Sequence, residues 1–195
     1  DAEGGECNLS IIEGFFDMLE KDDLVGSNPI FIIKSTVPIG TTRKLQEKHS
    51  WLNIIHNPEF LTAINAEEDF LNADRTVLGG SCEQSLSKTK ELYSEFFPDV
   101  PIYTMTSDES ESVKYFANCF LATKVMFFNE MKVLTESLGV DFDKIGEAVT
   151  ADTRIADSHW KVPGPDGDYG FGGTCFPKDT NALIDTMEKN GMNPL

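Results

Sequence analysis

Cys175 lies in Gly170-Phe171-Gly172-Gly173-Thr174-Cys175-Phe176-Pro177-Lys178-Asp179, a segment that gathers the residue types needed for nucleophilic chemistry. The glycines permit tight turns and close approach of a ligand to the backbone. Pro177 suits the first position of a helix, so the spacing predicts a helix from about Pro177 to Asn190, with Cys175 just before its N-terminus. Free N–H groups and the macrodipole at such an end favour thiolate, and Lys178 adds positive charge within one turn. Together these conditions would activate a cysteine nucleophile. The same residues also suit an ordinary buried cysteine beside a flexible loop.

A second constellation is Glu111-Ser112-Val113-Lys114-Tyr115-Phe116-Ala117-Asn118. Lys114 and Asn118 are four apart and share one helix face, which also carries Glu111. A lysine among aromatic neighbours can act as an acid or orient an oxyanion; a solvated polar stripe is the plainer alternative. Two further segments, Ser35-Thr36-Val37-Pro38-Ile39-Gly40 and Asn57-Pro58-Glu59-Phe60-Leu61, each follow a short apolar run. If those runs are parallel strands, both segments fall at carboxyl ends, where open α/β sheets bind ligands. Thr36 would offer a hydroxyl and Glu59 a carboxylate for proton transfer. Both segments read equally well as strand-to-helix turns punctuated by proline.

These groups need elements to hold them. Pro29–Lys34 is a continuous apolar run suited to a buried strand, and 52–56, 76–78 and 101–104 predict three more. Helical patterns lie near 8–23, 39–49, 60–71 and 83–97. This alternation argues a parallel α/β sheet with right-handed crossovers. After residue 105 the pattern changes. Thr106-x-x-Glu109 has the form of a capping box, with Asp108 and Glu109 in the first turn. A helical pattern then runs without Pro or Gly to Gly139, and Val113, Phe116, Phe120, Leu121, Val125, Phe127, Phe128, Met131 and Leu134 occupy most of its sides. Such a helix needs partners on more than one face. A shorter helix at 141–149 and a Gly/Pro-rich loop through 174 follow. The fold class expected is α/β: a partial Rossmann-like parallel sheet in residues 1–106, then an all-α module with one long helix in 107–195.

Composition narrows the functions available. The formal net charge of −17 repels phosphate backbones, so the sequence predicts no nucleic-acid binding while leaving room for one phosphate-bearing small ligand. No apolar run reaches the roughly 18 residues a membrane helix needs, so no membrane partner is expected. Cys7, Cys82, Cys119 and Cys175 form no C-x-x-C pair, and His49, His56 and His159 show no ligand spacing; no metal is expected, and a reducing cytoplasm is the simplest location. The polar start Asp1–Glu6 reads as a cut end.

Five segments occur in a fixed order: Lys34-Ser-Thr-Val-Pro-Ile-Gly-Thr, Asn57-Pro-Glu-Phe-Leu, Asp74-Arg-x-Val-Leu-Gly-Gly, Lys114-x-x-Ala-Asn-x-Phe-Leu-Ala and Gly170-Phe-Gly-Gly-x-Cys-Phe-Pro-Lys-Asp. In this order and spacing they resemble the UDP-glucose/GDP-mannose dehydrogenase family over nearly the whole chain. The resemblance implies oxidation of a nucleotide-sugar C6 alcohol to a carboxylate with two NAD+, UDP-glucose to UDP-glucuronate being favoured over GDP-mannose and UDP-N-acetyl sugars. It implies that Cys175 forms a thiohemiacetal and then a thioester. Lys114, Asn118 and Asp179 would arrange the reacting oxygen and a water, Glu59 would serve thioester hydrolysis, and Thr36 would position water and cofactor. Ser35, Thr36, Glu59 and Cys175 would face NAD, while Phe60, Leu61, Lys178, Phe171, Gly172 and Gly173 would contact the sugar nucleotide. Arg154 matches an arginine that reaches substrate across a dimer interface, and the long helix, 107–138, would be the core of a homodimer.

The sequence also departs from the family pattern. No G-x-G-x-x-G follows a strand, and the opening βαβ unit and the C-terminal nucleotide-gripping domain are missing. Many relatives carry Glu where this chain has Ala63, and Pro163-Gly-Pro-Asp-Gly-Asp lengthens the loop before Cys175. Two other functions compete. One is a non-catalytic dimerisation module, for which Cys175, Lys114, Asn118, Asp179 and Glu59 would have no physical use. The other is a cysteine hydrolase, which needs a base beside Cys175; His159 is the nearest histidine in sequence, and no hydrolase motif surrounds it.

Overall fold

The computed structural model describes residues 7–19, 27–62 and 65–193. Two compact units divide the chain, Asp1–Lys114 and Tyr115–Leu195.

The first unit follows the apolar runs. α1 (Ser10–Asp17) precedes β1 (Ile30–Ile33), α2 (Thr41–Lys48), β2 (Asn53–His56), α3 (Ala66–Leu71), β3 (Thr76–Gly79), α4 (Glu83–Phe96) and β4 (Ile102–Met105). The strands form one sheet in the order β1-β2-β3-β4. β1 pairs with β2 in parallel, Ile30 opposite Asn53, and β3 with β4 in parallel, Thr76 opposite Ile102. The central strands β2 and β3 are mostly buried, Ile55 and Leu78 completely, and carry Ile, Val and Leu on both faces, whereas the edge strand β4 leaves Tyr103 and Thr104 exposed. One core gathers Phe16, Ile33, Val37, Leu45, Leu52 and Ile54, with Leu9, Ile12, Phe31 and Trp51 against it.

The expected all-parallel sheet is interrupted at its centre, where β2 and β3 run antiparallel, His56 opposite Gly79. A parallel return needs a crossover of a dozen or more residues, usually a helix packed on the sheet. α3 has only six residues, none of them buried, so it covers no sheet face. The chain instead doubles back beside itself, and Asn57 Nδ2 donates to the Val77 carbonyl at 2.8 Å.

The helix expected over 60–71 begins only at Ala66. Carboxylates take the N–H groups that a helix would use: Leu61 N–H donates to Glu59 Oε2 (2.7 Å) and Thr62 N–H to Asp69 Oδ2 (2.7 Å). Ala63 lies outside the described residues, as do Asp1–Glu6 and residues 20–23 of the pattern expected over 8–23.

The long helix α5 spans Ser107–Leu138, and the boundary between the units falls inside it. Its start is the expected capping box, with Glu109 Oε2 accepting from Thr106 N–H and Oγ1 (2.8 Å each). In the second unit α6 (Phe142–Thr150) is capped by Asp141, whose side chain accepts from the N–H groups of Asp143 and Lys144. α7 runs Cys175–Lys189, two residues earlier than expected. Pro177 is then the third helical residue, where its missing N–H is still one of the four without an intrahelical acceptor. The core here is Phe128, Phe142, Trp160 and Val162, with Met131 against it. Gly146 makes that packing possible, because a Cβ there would come within 2.2 Å of the Trp160 ring. Phe116, Phe120, Phe127, Leu134 and Leu138 stay exposed on α5.

Candidate functional site

In the first unit the residues after β2 form a buried polar centre. Lys114 Nζ donates to the Glu59 carbonyl (2.6 Å) and to Glu59 Oε1 (3.2 Å), while Oε2 takes the Leu61 N–H. Lys114 is only 4% exposed, so its charge depends on that carboxylate and carbonyl for compensation. The Phe60 ring lies 5.5 Å from the Lys114 ammonium and 4.1 Å from the Arg75 guanidinium. At the carboxyl end of β1, Lys34 Nζ donates to Asn57 Oδ1 at 2.7 Å. Burial pushes the Lys34 amine below its ordinary range, and the nearby Glu59 charge opposes that shift. Ser35 is exposed and Thr36 half-buried, just beyond the carboxyl end of β1. Lys34, Asn57, Glu59, Phe60, Arg75 and Tyr93 are among the residues around a cavity of about 190 Å³.

Glu111, on the same face of α5, has a structural task. Its Oε2 accepts from Gly40 N–H (2.5 Å) and its Oε1 from Thr42 N–H (2.8 Å). It thereby caps α2, whose N-cap Gly40 stands at φ +90 and offers no side chain of its own. Burial pushes the Glu111 carboxyl above its ordinary range, and the Thr42 and Gly40 bonds pull it back.

In the second unit Asp179 is 1% exposed, with a partner on each oxygen. Its Oδ2 accepts from Asn118 Nδ2 and its Oδ1 from Lys178 Nζ, both at 2.5 Å. Lys178 therefore directs its charge to Asp179. Cys175 is exposed and is the first residue of α7, with Thr174 Oγ1 3.8 Å from its sulfur. This excludes the buried-cysteine alternative, just as the burial of Glu111, Lys114 and Asn118 excludes the solvated stripe. The loop before Cys175 is tied to α5 by Gly170 N–H donating to Asn129 Oδ1 (2.8 Å). Phe171 packs edge-on against Phe176, and Gly172 and Gly173 are exposed, Gly173 at φ +75. Arg154 is exposed and forms a two-bond pair with Asp152, at 3.0 and 2.5 Å, within its own turn.

Residues 1–97 match the model of the UDP-glucose/GDP-mannose dehydrogenase family NAD binding domain, and residues 108–195 that of its central domain. The chain belongs to this family. It is 35% identical over 188 residues to a UDP-glucose 6-dehydrogenase of Bacillus subtilis, covering 92% of this chain and 40% of that protein. Among solved structures, a UDP-glucose dehydrogenase from the archaeon Pyrobaculum islandicum superposes with a TM-score of 0.83 at 36% identity, covering 98% of this chain and 45% of that one. A GDP-mannose dehydrogenase from Pseudomonas aeruginosa gives 0.69 at 25% identity, over 99% and 46%. The chain thus spans less than half the length of each of these relatives.

Of the residues singled out from sequence, Lys114 joins Glu59, Phe60 and Leu61 in one unit, and Asn118 joins Asp179 and Lys178 in the other. Sequence reasoning missed the Lys34–Asn57–Tyr93 cluster, in which Tyr93 OH donates to Asn57 Oδ1. Lys34 and Asn57 each open a family segment and so carried a signal. Tyr93 carried none, because its partner is 36 residues away.

Proposed function

We propose that this protein is part of an NAD-dependent nucleotide-sugar 6-dehydrogenase that oxidises the C6 alcohol of UDP-glucose to UDP-glucuronate. The observation that carries the reading is the pair of buried polar centres on α5: Lys114 held by Glu59, and Asn118 held by Asp179 one turn on. An isolated fold has little reason to bury so many charged groups, since replacing them with apolar packing is often neutral or stabilising. Active sites require them.

For NAD, the residues present fit one end of the cofactor. Ser35 and Thr36 leave reachable hydroxyls at the carboxyl end of β1, where a dinucleotide is expected to lie. Glu59 and Cys175 complete the proposed cofactor set. The 195 residues contain no G-x-G-x-x-G turn to cradle its pyrophosphate. When bound, NAD+ supplies the hydride acceptor for each of the two oxidations of C6.

This chain's residues do the rest. Once C6 is an aldehyde, the Cys175 sulfur bonds to it and the carbonyl oxygen takes a proton, giving a thiohemiacetal. Lys114, Asn118 and Asp179 orient that oxygen and a water, with Lys114 or a water on Asp179 moving the proton. Loss of the second hydride and the hydroxyl proton leaves a thioester. Water then adds with Glu59 as base, the C–S bond breaks, and carboxylate and free thiolate form. Thr36 positions water and cofactor. Phe60, Leu61, Lys178, Phe171, Gly172 and Gly173 contact the sugar nucleotide, and Arg154 reaches it from a second copy.

In this reading residues 1–106 are the second part of the NAD-binding domain and 107–195 the central domain, which forms a homodimer through 107–138. No helix among the described residues is long and apolar enough to cross a membrane, and Cys82, Cys119 and Cys175 are free thiols. Both facts agree with work in the cytoplasm.

The test is NADH formation from UDP-glucose and NAD+ by this chain, and by the chain extended with the N- and C-terminal portions its relatives possess. Two NADH per sugar, abolished by Cys175→Ser, is the expected result in the extended protein. Activity with GDP-mannose or a UDP-N-acetyl sugar alone would reassign the substrate. Silence with every sugar would leave the dimerisation module, which the exposed apolar side chains of α5 also suit.

A further inference from the structure

Lys124 on α5 is half-buried and forms no ion pair among the described residues. Its ammonium donates to two backbone carbonyls, Ile155 and Ala156, at 2.8 Å each. The segment it holds is unusual. Ala156 stands at φ +64 and His159 at φ +58, left-handed backbone that an L residue rarely adopts. Such geometry persists only where surrounding contacts impose it. The contacts here are the Lys124 bonds, the Ile155 and Ala156 N–H groups donating to the Asp152 carbonyl (2.9 and 3.0 Å), Trp160 Nε1 donating to Asp157 Oδ1 (2.5 Å), and burial of Trp160 in the core. Their result is the placement of His159, whose ring lies 5.6 Å from Phe176 while its Nδ1 is buried without a hydrogen-bond partner. An imidazole held without a bond for that nitrogen serves here as a packing surface. Phe176, which meets His159 at a tilt and Phe171 edge-on, is the residue after Cys175 in the first turn of α7.

We propose that Lys124 is a positioning residue for Cys175: by clamping the Ile155 and Ala156 carbonyls it sets His159 against Phe176 and so fixes the first turn of α7. The sulfur then sees a constant arrangement of first-turn N–H groups, on which thiol reactivity at a helix N-terminus depends. This inference rests on the reading of Cys175 as the nucleophile.

The experiment measures iodoacetamide alkylation of each cysteine by mass spectrometry in the full chain, with Cys82 in the other unit as internal control. Lys124→Met removes the donors and keeps the stem. His159→Ala removes the packing surface and leaves the clamp. Lys124→Arg keeps a cationic donor. The expected result is alkylation of Cys175 slowed about fivefold in Lys124→Met and His159→Ala, an unchanged rate at Cys82, and restoration to within about twofold by Lys124→Arg. An unchanged Cys175 rate in either folded variant, equal slowing of Cys82, or no restoration by arginine would overturn the proposal. Should Lys124→Met fail to fold, His159→Ala decides alone. Failure of the underlying functional reading shows separately, as absence of NADH formation by the unsubstituted extended protein.

Discussion

His56 ends β2 completely enclosed, its Nδ1 2.8 Å from Ser110 Oγ. Burial, with a contribution from the Lys34 charge, pushes its pKa down to about 4, against 6.5 for a free imidazole. The folded protein therefore holds His56 neutral, while the unfolded chain takes up a proton below pH 6.5. The resulting stability is fully present above 6.5 and is lost as pH falls from there towards 4, by up to about 3 kcal/mol. Urea unfolding across that range should show the loss, and His56→Gln should flatten it. Equal slopes for the two proteins would mean that other groups govern the acid response. Lys114 and Glu59 belong to the same scale: the Lys114 charge, almost fully buried, depends on the half-buried Glu59 beside it.

At the scale of elements, α2 begins where the chain has no capping side chain of its own, at a left-handed glycine. The cap arrives from 71 residues away, as Glu111 on α5. Glu111→Ala should strand two buried N–H groups and cost about 3 kcal/mol, read as a lower urea midpoint, whereas Glu111→Gln keeps an acceptor and should cost about 1 kcal/mol. Equal costs would show that the cap is not what Glu111 provides. α5 is thus several things along its length: a cap for α2, a partner for Glu59, a partner for Asp179, and a support for the loops before α7.

At the scale of the whole molecule, Phe116, Phe120, Phe127, Leu134 and Leu138 remain exposed on α5, Phe120 by 69% and Leu138 by 65%. Their spacings of four, seven, seven and four keep them on one narrow face of a helix. A stripe of this kind rarely stays open to water. We expect the protein to be dimeric by light scattering after gel filtration, and Phe120→Glu to shift it to monomer while leaving its circular dichroism unchanged. A monomeric unsubstituted protein would remove the proposed role of 107–138 as a dimer core and leave Arg154 without a second copy to serve.

The sequence by itself determined the local and the repetitive. Short runs of three to six residues placed all four strands, the Thr106–Glu109 box placed the start of α5, and five ordered segments carried the family. Each of these is written in neighbouring residues. What only the tertiary structure decided depends on residues far apart in the chain. The antiparallel turn between β2 and β3 follows from a six-residue helix too short to cross the sheet. The late start of α3 is the exception: it follows from bonds between near neighbours that the helical pattern did not reveal, the carboxylates of Glu59 and Asp69 taking the N–H groups of Leu61 and Thr62. Glu111, Lys114 and Asn118 look alike as a polar stripe on one helix face, yet one caps a helix, one meets Glu59 and one meets Asp179. Their separate roles are set by what packs opposite each, which no spacing along the chain encodes.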